Sequence, residues 1–312
     1  MSAVDPVKHL LGLLDSYNST SKQQTHNDNT HTILLVNPSQ ENYNQIIHSI
    51  KKYLGHKTPR KEEVMELNSE IVNYTYIQPK DNEELFTKIS IVEIYTIVQT
   101  PSERDEESAL EEKSNLLSAL EKYSSDMDVL IFADCQELSL TNSINTFSDE
   151  KDYEFFKKTS LLPFLKYTVY PFLFSEGEEG HKWKSHTIIL TNVSLWAYNA
   201  LSIPLIDFIQ QVLRTILLHH SSRGLLIYTP HDIQSSGQKL SALWNHLLGD
   251  AQVAISSNFL LADPEPEPGS EQEPEDDLRH DNLFIASHTD TDENIKLLDD
   301  SFAWSSWMQY FM

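Results

Sequence analysis

Positive charge is scarce in this sequence of 312 residues. It contains 23 lysines and arginines against 47 aspartates and glutamates, and its formal net charge is -24. A surface of this sign repels the phosphates of nucleic acids and the anionic headgroups of lipids, so we expect neither nucleic acid nor a membrane as a partner. The imbalance is partly local, because residues 263–277 contain eight acids and no base.

Cysteine and long apolar runs are also lacking. The one cysteine, Cys135, lies within an apolar segment, which is typical of a small core residue and excludes a disulfide framework. The N-terminus has no basic region followed by an apolar stretch, and no apolar run approaches the roughly 18 residues of a membrane span. We therefore expect a soluble, cytoplasmic protein.

Compact apolar runs that alternate with amphipathic segments fill the middle of the chain. The runs of the buried-strand type are 32–36, 89–98, 128–134, 187–191 and 224–228. Helical spacing of apolar residues is found at 46–54, about 110–123, 207–218 and 240–248, and Asp207 is expected to cap the third of these helices. The charged residues 56–84 are predicted to be irregular. The alternation predicts βα units with a mostly parallel sheet, a Rossmann-like α/β fold.

Composition predicts how the chain is organised outside these runs. Residues 1–17 predict an N-terminal amphipathic helix, and residues 18–31 a polar linker. The α/β domain is predicted at 32–255, with an insertion at about 140–184 whose aromatic residues we interpret as core. The acidic residues 263–277 predict a disordered loop, and residues 278–312 a C-terminal extension with an aromatic end.

The turn after the first strand is the place where an α/β nucleotide-binding protein holds phosphate. The pattern G-x-x-x-x-G-K-[S/T] supplies glycines that let backbone N–H groups wrap the phosphates, a lysine for charge and a hydroxyl for Mg²⁺. In this chain the four defining places are taken by Asn37, Asn42, Tyr43 and Asn44. Since glycines, lysine and hydroxyl are all missing, we expect no phosphate to bind here.

The end of the sheet that reads a guanine base in GTPases is degenerate as well. GTPases carry Asn/Thr-Lys-x-Asp after a late strand, whereas this chain has Asn192 in place of the lysine and Ser194 in place of the aspartate. The D-x-x-G that senses the γ-phosphate has no counterpart after Val92. These three losses predict a small-GTPase-like fold with a degenerate nucleotide site, no cofactor and no enzymatic activity. A GTPase-like protein that holds nucleotide through unconventional contacts is an alternative.

Four segments resemble the light intermediate chain of cytoplasmic dynein. They are Asp-Phe-Ile-Gln-Gln-Val-Leu-Arg at 207–214, Gly-Leu-Leu-Ile-Tyr-Thr at 224–229, Asn-Leu-Phe-Ile-Ala at 282–286 and Asp-Asp-Ser-Phe at 299–302. The first two, with the helix that ends at Gly249, are similar to the C-terminal half of that family's GTPase-like domain, and the last two to the segment that follows it. The resemblance covers about 207–302 and identifies the chain as a compact fungal-type member.

The resemblance implies a role and partners. It implies an accessory subunit that binds and stabilises the tail of the dynein heavy chain and meets the rest of the complex, including the intermediate chain, indirectly. It also implies an association with microtubules and the spindle pole, in transport and in spindle or nuclear positioning. Vertebrate members retain a glycine-rich loop and carry a long C-terminal extension for cargo adaptors. This chain has neither feature, so we do not expect it to bind adaptors through such a helix.

Two apolar segments are candidate partner surfaces. The C-terminal segment contains the aromatic residues Phe302, Trp304, Trp307, Tyr310 and Phe311. The N-terminal segment contains Leu10, Leu11 and Leu14. Aromatic residues are enriched in protein interfaces, and a short helix needs a surface on which to bury its apolar face. Either segment could instead fold back on its own domain.

Two further functions are considered from the residues. The pair His219-His220 lies at a predicted helix end without a third ligand nearby in the sequence, so we expect no metal site. A pseudo-GTPase accessory protein of vesicle trafficking is the alternative to a motor subunit, because some such proteins also use nucleotide-free GTPase-like folds.

Overall fold

The computed structural model describes most of the predicted elements. The described residues are 30–54, 64–65, 72–77, 91–97, 127–135, 164–173, 183–195, 203–221, 223–229, 237–248, 259–260, 283–287 and 290–298. The chain divides into two compact units, each of which has strands and helices. Unit 1 comprises 1–130 and 175–184, and unit 2 comprises 131–174 and 185–312. The predicted helices at 1–17 and about 110–123, residues 18–29 of the predicted linker and the acidic loop at 263–277 lie outside the described residues. The predicted linker end at 31 is wrong, because the first strand already begins at Thr30.

Unit 1 contains a sheet with one helix that follows its first strand. Its elements are β1 (Thr30–Val36), α1 (Gln40–Tyr53), β2 (Val64–Met65), β3 (Val72–Ile77) and β4 (Ile91–Ile97). Strands β1 and β4 are parallel, with Thr30 opposite Ile91 and Val36 opposite Ile97. Strand β3 runs antiparallel to β4, and β2 runs antiparallel to β3, so the order is β2-β3-β4-β1.

The core of unit 1 explains why β1 is an unbroken apolar run. Its consecutive residues 33–36 are all fully buried, which requires both faces of the strand to be covered. The helix α1 buries Ile46, Ile47 and Ile50. The irregular structure predicted for residues 56–84 is wrong, because β2 and β3 lie there. Strand β3 reaches its backbone partners through antiparallel pairing with β4, which no local apolar run indicates.

Unit 2 continues from β5 (Met127–Asp134), whose first half belongs to unit 1. Its other elements are a π-helical turn (Leu165–Val169) that leads into α2 (Tyr170–Leu173), β6 (Ser185–Thr191), α3 (Ile203–His220), β7 (Gly224–Tyr228), α4 (Gly237–Leu248), β8 (Phe259–Leu260), β9 (Leu283–Ala286) and α5 (Asp292–Lys296). The strand order is β5-β6-β7-β9-β8. Strands β6 and β7 are parallel, and β9 is antiparallel to both β7 and β8.

The interior of unit 2 is built from β6, β7 and the apolar face of α3. Every residue of both strands is buried, and α3 contributes a set of buried apolar side chains at Ile209, Val212, Leu213, Ile216 and Leu217. The predicted α/β class with a mostly parallel sheet is confirmed, and antiparallel strands flank the parallel pairs. Cys135 is buried, as predicted.

The predicted start of α3 at Asp207 is wrong. The helix begins at Ile203, so Pro204 lies in its first turn, where the missing N–H of proline leaves no intrahelical hydrogen bond unmade. Proline therefore opens this helix rather than preceding it.

Gly224 marks a close approach between α3 and β7. A Cβ atom on this residue would lie 2.8 Å from Leu217 Cβ and 3.0 Å from the Leu217 carbonyl oxygen. The helix can pack this closely on the strand because the position carries no side chain.

None of the described helices is long and apolar enough to cross a lipid bilayer.

Candidate functional site

The turn between β1 and α1 has the backbone of a tight strand-to-helix connection. Asn37 adopts a left-handed conformation with φ of 56°, which asparagine tolerates better than most residues other than glycine. Ser39 then caps the helix, since its Oγ accepts a hydrogen bond from the N–H of Asn42 at 3.1 Å. The helix begins at Gln40, only four residues after the strand ends.

This early helix start removes the amides that a phosphate would need. Residues 40–44 are helical, although the phosphate-binding pattern laid from Asn37 would place loop residues there. The N–H of Asn42 is bonded to Ser39 Oγ, and the N–H of Tyr43 is bonded to the Ser39 carbonyl at 2.9 Å. Glu41 adds a negative charge in the first turn, where an anion would sit. The residues present therefore do not fit a bound phosphate.

The side chains at the remaining places of the pattern have other partners. Tyr43, at the lysine place, directs its hydroxyl to Thr75 Oγ1 of β3 at 2.7 Å. Asn44, at the place of the Mg²⁺-binding hydroxyl, is exposed and accepts a hydrogen bond from Gln40 Nε2 at 3.2 Å. None of these groups brings positive charge to the turn.

The carboxyl ends of β5 and β6 are joined by a side-chain contact. Asn192, with φ of 59°, directs Nδ2 at both carboxylate oxygens of Asp134, at 3.0 Å each. The N–H of Cys135 donates to the carbonyl of Thr191 at 3.0 Å, so the two strand ends also meet through the backbone. The amide at the lysine place of the base-reading motif thus ties two strands together. The last position of that motif, Ser194, supplies a hydroxyl where a carboxylate would read the base.

The carboxyl end of β7 carries a buried positive charge. Lys239, in the first turn of α4, is only 2% exposed and donates a hydrogen bond to the carbonyl oxygen of Tyr228. Burial lowers the pKa of Lys239 to about 8. Nearby, the N–H of Val193 donates to the Thr229 carbonyl at 3.1 Å. The ammonium group of Lys239 is therefore directed at the backbone carbonyl of Tyr228.

The histidine pair at the end of α3 is part of a contact between helices. His219 Nε2 lies 3.0 Å from Asp292 Oδ1 at the start of α5, and both side chains are substantially exposed. In the described part of the chain, no group of three histidine, cysteine, aspartate or glutamate residues is placed to hold a metal ion.

The residues that follow β9 pack on α3 through a polar contact set. We call residues 290–298 the C-terminal clasp. Arg214 of α3 donates two hydrogen bonds to Asp290, Nε to Oδ2 at 2.6 Å and Nη2 to Oδ1 at 2.5 Å, and the pair is buried. Gln211 Nε2 donates to the carbonyl of Ile295 at 2.9 Å. Leu297, at the far end of the clasp, is 83% exposed.

Sequence reasoning missed the residues that make these links. Asp134, Lys239, Arg214 and Asp290 were not singled out, and Arg214 and Asp290 are 76 residues apart. Asp134 could have been found from the sequence, because it is a charged residue at the end of an apolar strand. The candidate partner residues of the first 29 and last 14 positions, Leu10, Leu11, Leu14, Phe302, Trp304, Trp307, Tyr310 and Phe311, lie outside the described residues.

Comparison with known proteins gives a match among solved structures only. No protein-family model matches the chain, and no curated protein is similar to it. Among solved structures, the chain is similar to the crystal structure of a dynein light intermediate chain's conserved domain. The similarity covers 88% of this chain and 86% of that one, with 17% sequence identity and a TM-score of 0.45.

Proposed function

We propose that the chain is a non-catalytic accessory subunit of the cytoplasmic dynein motor complex. It binds and stabilises the tail of the heavy chain and has no chemistry of its own. In this role it acts in the cytoplasm, on microtubules and at the spindle pole, in transport and in spindle or nuclear positioning. The sequence resemblance over residues 207–302 supports the partner, and the geometry of two strand ends supports the absence of chemistry.

The β1–α1 turn is the observation that carries the non-catalytic part of the proposal. A phosphate-binding loop must leave several consecutive N–H groups free to point at one anion. Here the Ser39 side chain accepts a hydrogen bond from the N–H of Asn42, and the Ser39 carbonyl accepts one from the N–H of Tyr43. Restoring a lysine would not restore the loop, because the backbone is already helical from Gln40.

The base-reading end supports the same proposal. A guanine base would have to be read by a carboxylate at the place of Ser194, which supplies only a hydroxyl, and Asn192 at the lysine place donates hydrogen bonds to the Asp134 carboxylate. The buried ammonium of Lys239 is directed at the Tyr228 carbonyl. These polar groups hold strands and a helix together, and Asn192 in particular has a structural use at a position that a GTPase uses for ligand binding.

The segments that resemble the dynein subunit pack against each other. Strand β7 pairs with β9, and the N–H of Gly224 donates to Ser287 Oγ at 2.8 Å. Helix α3 contacts β7 on one side and the clasp through Arg214 and Asp290 on another. The matched residues at 207–214, 224–229 and 283–286 therefore belong to one packed assembly within unit 2.

We place the heavy-chain contact on the two apolar terminal segments. The aromatic residues Phe302, Trp304, Trp307, Tyr310 and Phe311 follow the clasp in sequence, and Leu10, Leu11 and Leu14 precede the α/β domain. Aromatic anchors of this kind contribute most of the energy in many protein interfaces.

A pull-down from cell extract tests the partner. Tagged full-length chain is compared with a version that ends at Leu298, which keeps every described residue, and with a full-length version in which the five aromatic residues are alanine. Circular dichroism first establishes that both variants are folded. We expect the heavy chain to be retained by the full-length chain and lost from both variants.

Other results of the pull-down have distinct meanings. Heavy chain retained equally by all three proteins would place the contact elsewhere and leave the function intact. Coat or adaptor proteins recovered without any heavy chain would overturn the motor proposal in favour of a trafficking accessory protein.

A nucleotide assay tests the absence of chemistry. The purified chain is denatured, and released nucleotide is measured by chromatography with absorbance detection, alongside binding of fluorescent GDP and GTP. We expect no nucleotide in the wild-type chain, and none in a Y43K/N44T variant because the turn backbone is unchanged. A stoichiometric nucleotide in the wild-type chain would contradict the proposal and support a GTPase-like protein with unconventional contacts.

A further inference from the structure

We infer that the C-terminal clasp opens from α3 as a unit while the rest of unit 2 stays folded. The inference goes beyond the proposed function, because it concerns a conformational device that operates with or without a motor partner. Opening would release residues 290–298 from their position on α3.

The contacts that close the clasp are almost all polar. Arg214 pairs with Asp290, Gln211 donates to the Ile295 carbonyl, and His219 contacts Asp292. Ile295 is the one buried hydrophobic residue among the clasp's nine residues. The clasp therefore adds little apolar burial to the fold, and apolar burial is the main source of stability.

Polar contacts of this type are inexpensive to open into water. A buried ion pair gives up hydration when it forms, so its net contribution relative to the hydrated charges is small. When the clasp opens, Arg214 and Asp290 both regain water. By contrast, β7 is buried along its whole length and paired on both sides, by β6 and by β9, and cannot open without disrupting the sheet.

The clasp cannot stay helical once it leaves α3. Helix α5 has five residues, far fewer than an isolated helix needs to persist in water. Its internal hydrogen bonds run from the N–H of Ile295 to the Thr291 carbonyl at 3.0 Å and from the N–H of Asn294 to Thr291 Oγ1 at 3.1 Å. These amides are therefore reporters of clasp opening.

Opening also changes the surface of α3. Gln211 is fully buried and Arg214 is 8% exposed in the closed form. Both side chains become accessible when the clasp leaves, so the open form presents a polar stripe that the closed form hides. The two forms thus offer different surfaces at the same place.

Native-state hydrogen exchange of the full-length chain tests the inference. Mass spectrometry follows the peptide that spans 290–298 and the peptide that spans 224–229, each corrected for intrinsic rates. We expect the clasp to exchange at least about 100-fold faster than β7, at a rate that low denaturant concentrations do not change, as for local opening. Equal protection of both peptides, with the same denaturant dependence, would overturn the inference.

Variants sharpen the test. D290N leaves the Arg214 charge without its full partner and should speed clasp exchange by about 100-fold or more. Q211A removes the hydrogen bond to the Ile295 carbonyl and should also speed clasp exchange. It serves as the second variant in case D290N does not fold. H219Q alters the exposed contact to Asp292 and should change clasp exchange by no more than about twofold. Clasp exchange that is unchanged in both D290N and Q211A would also overturn the inference.

Discussion

Tyr43 Oη and Thr75 Oγ1 lie 2.7 Å apart and join α1 to β3 across 32 residues of sequence. The contact gives Tyr43, at the place where a nucleotide-binding protein carries lysine, a structural role inside unit 1. A tyrosine can serve there because its hydroxyl reaches the neighbouring strand. Two residues distant in sequence thus fix the direction in which α1 leaves its turn.

Removing this contact should weaken the fold modestly. We expect Y43F and T75V each to lower the free energy of unfolding by about 1 kcal/mol, the usual value for one neutral hydrogen bond. The Y43F/T75V double variant should lose less than the sum of the two, which urea denaturation can measure. Strictly additive losses would mean that the two hydroxyls do not interact.

His186 should make unit 2 sensitive to acid. Its Nδ1 lies 2.8 Å from Ser221 Oγ and its Nε2 lies 2.9 Å from the Phe172 carbonyl, and burial lowers its pKa from 6.5 to about 4. Because the unfolded chain takes up the proton first, the neutral histidine's contribution is complete above pH 6.5 and is lost as the pH falls toward 4. The loss should be on the order of 3 kcal/mol.

The measurement for His186 is the free energy of unfolding between pH 7 and pH 4. The wild-type value should fall across this window more steeply than that of H186Q, whose amide does not titrate. H48Q, at an exposed position on α1, is the matched control and should follow the wild type. A slope that H186Q leaves unchanged would contradict the prediction.

Lys239 should make the stability rise with pH in a second, alkaline window. The pKa of its ammonium is about 8 in the folded chain against 10.5 when unperturbed, because burial disfavours the charge. The unfolded chain therefore binds the extra proton between pH 8 and pH 10.5, and stability should rise with pH across that window by about 3 kcal/mol. K239M should remove the rise, and K52M, at an exposed position, should keep it. If the free energy of unfolding of K239M still rises between pH 8 and pH 10.5, a group other than Lys239 causes the rise.

The buried pair Arg214–Asp290 should be costly to break from one side only. R214M or D290N leaves one buried group without its partner and should lower the free energy of unfolding by about 3–5 kcal/mol. The double variant R214M/D290L, which removes both charges, should recover most of the loss. H219Q, at the exposed pair, should change stability by less than about 0.5 kcal/mol. Equal losses in the single and double variants would show that packing rather than charge determines the cost.

The sequence predicts the strands that local composition specifies. Residues 128–134 and 187–191 are apolar because both faces of each strand are buried, and the structure extends each strand by no more than two residues. Strands β3 and β9 escaped prediction for a common reason. Each is an antiparallel strand whose partner lies elsewhere in the chain, so its backbone hydrogen bonds have no local signature.

The geometry of the strand ends was only partly accessible from the sequence. The substitutions at Asn37 and Asn192 were evident, but their left-handed backbones were not. That Asn192 would contact Asp134, 58 residues away, depends on which strands are neighbours. A helix start can also mislead, as Asp207 did, when a proline earlier in the chain already opens the helix.

The position of β9 between β7 and β8 has a consequence for how the chain can be divided. Residues 261–282, which include the whole acidic run, connect β8 to β9, yet both strands are held by backbone pairing, and β9 is held by β7 as well. The covalent link through these residues is therefore redundant for keeping the C-terminal piece in place. Two fragments produced by a break in the chain between β8 and β9 would therefore stay associated through the pairing of β9 with β7 and β8.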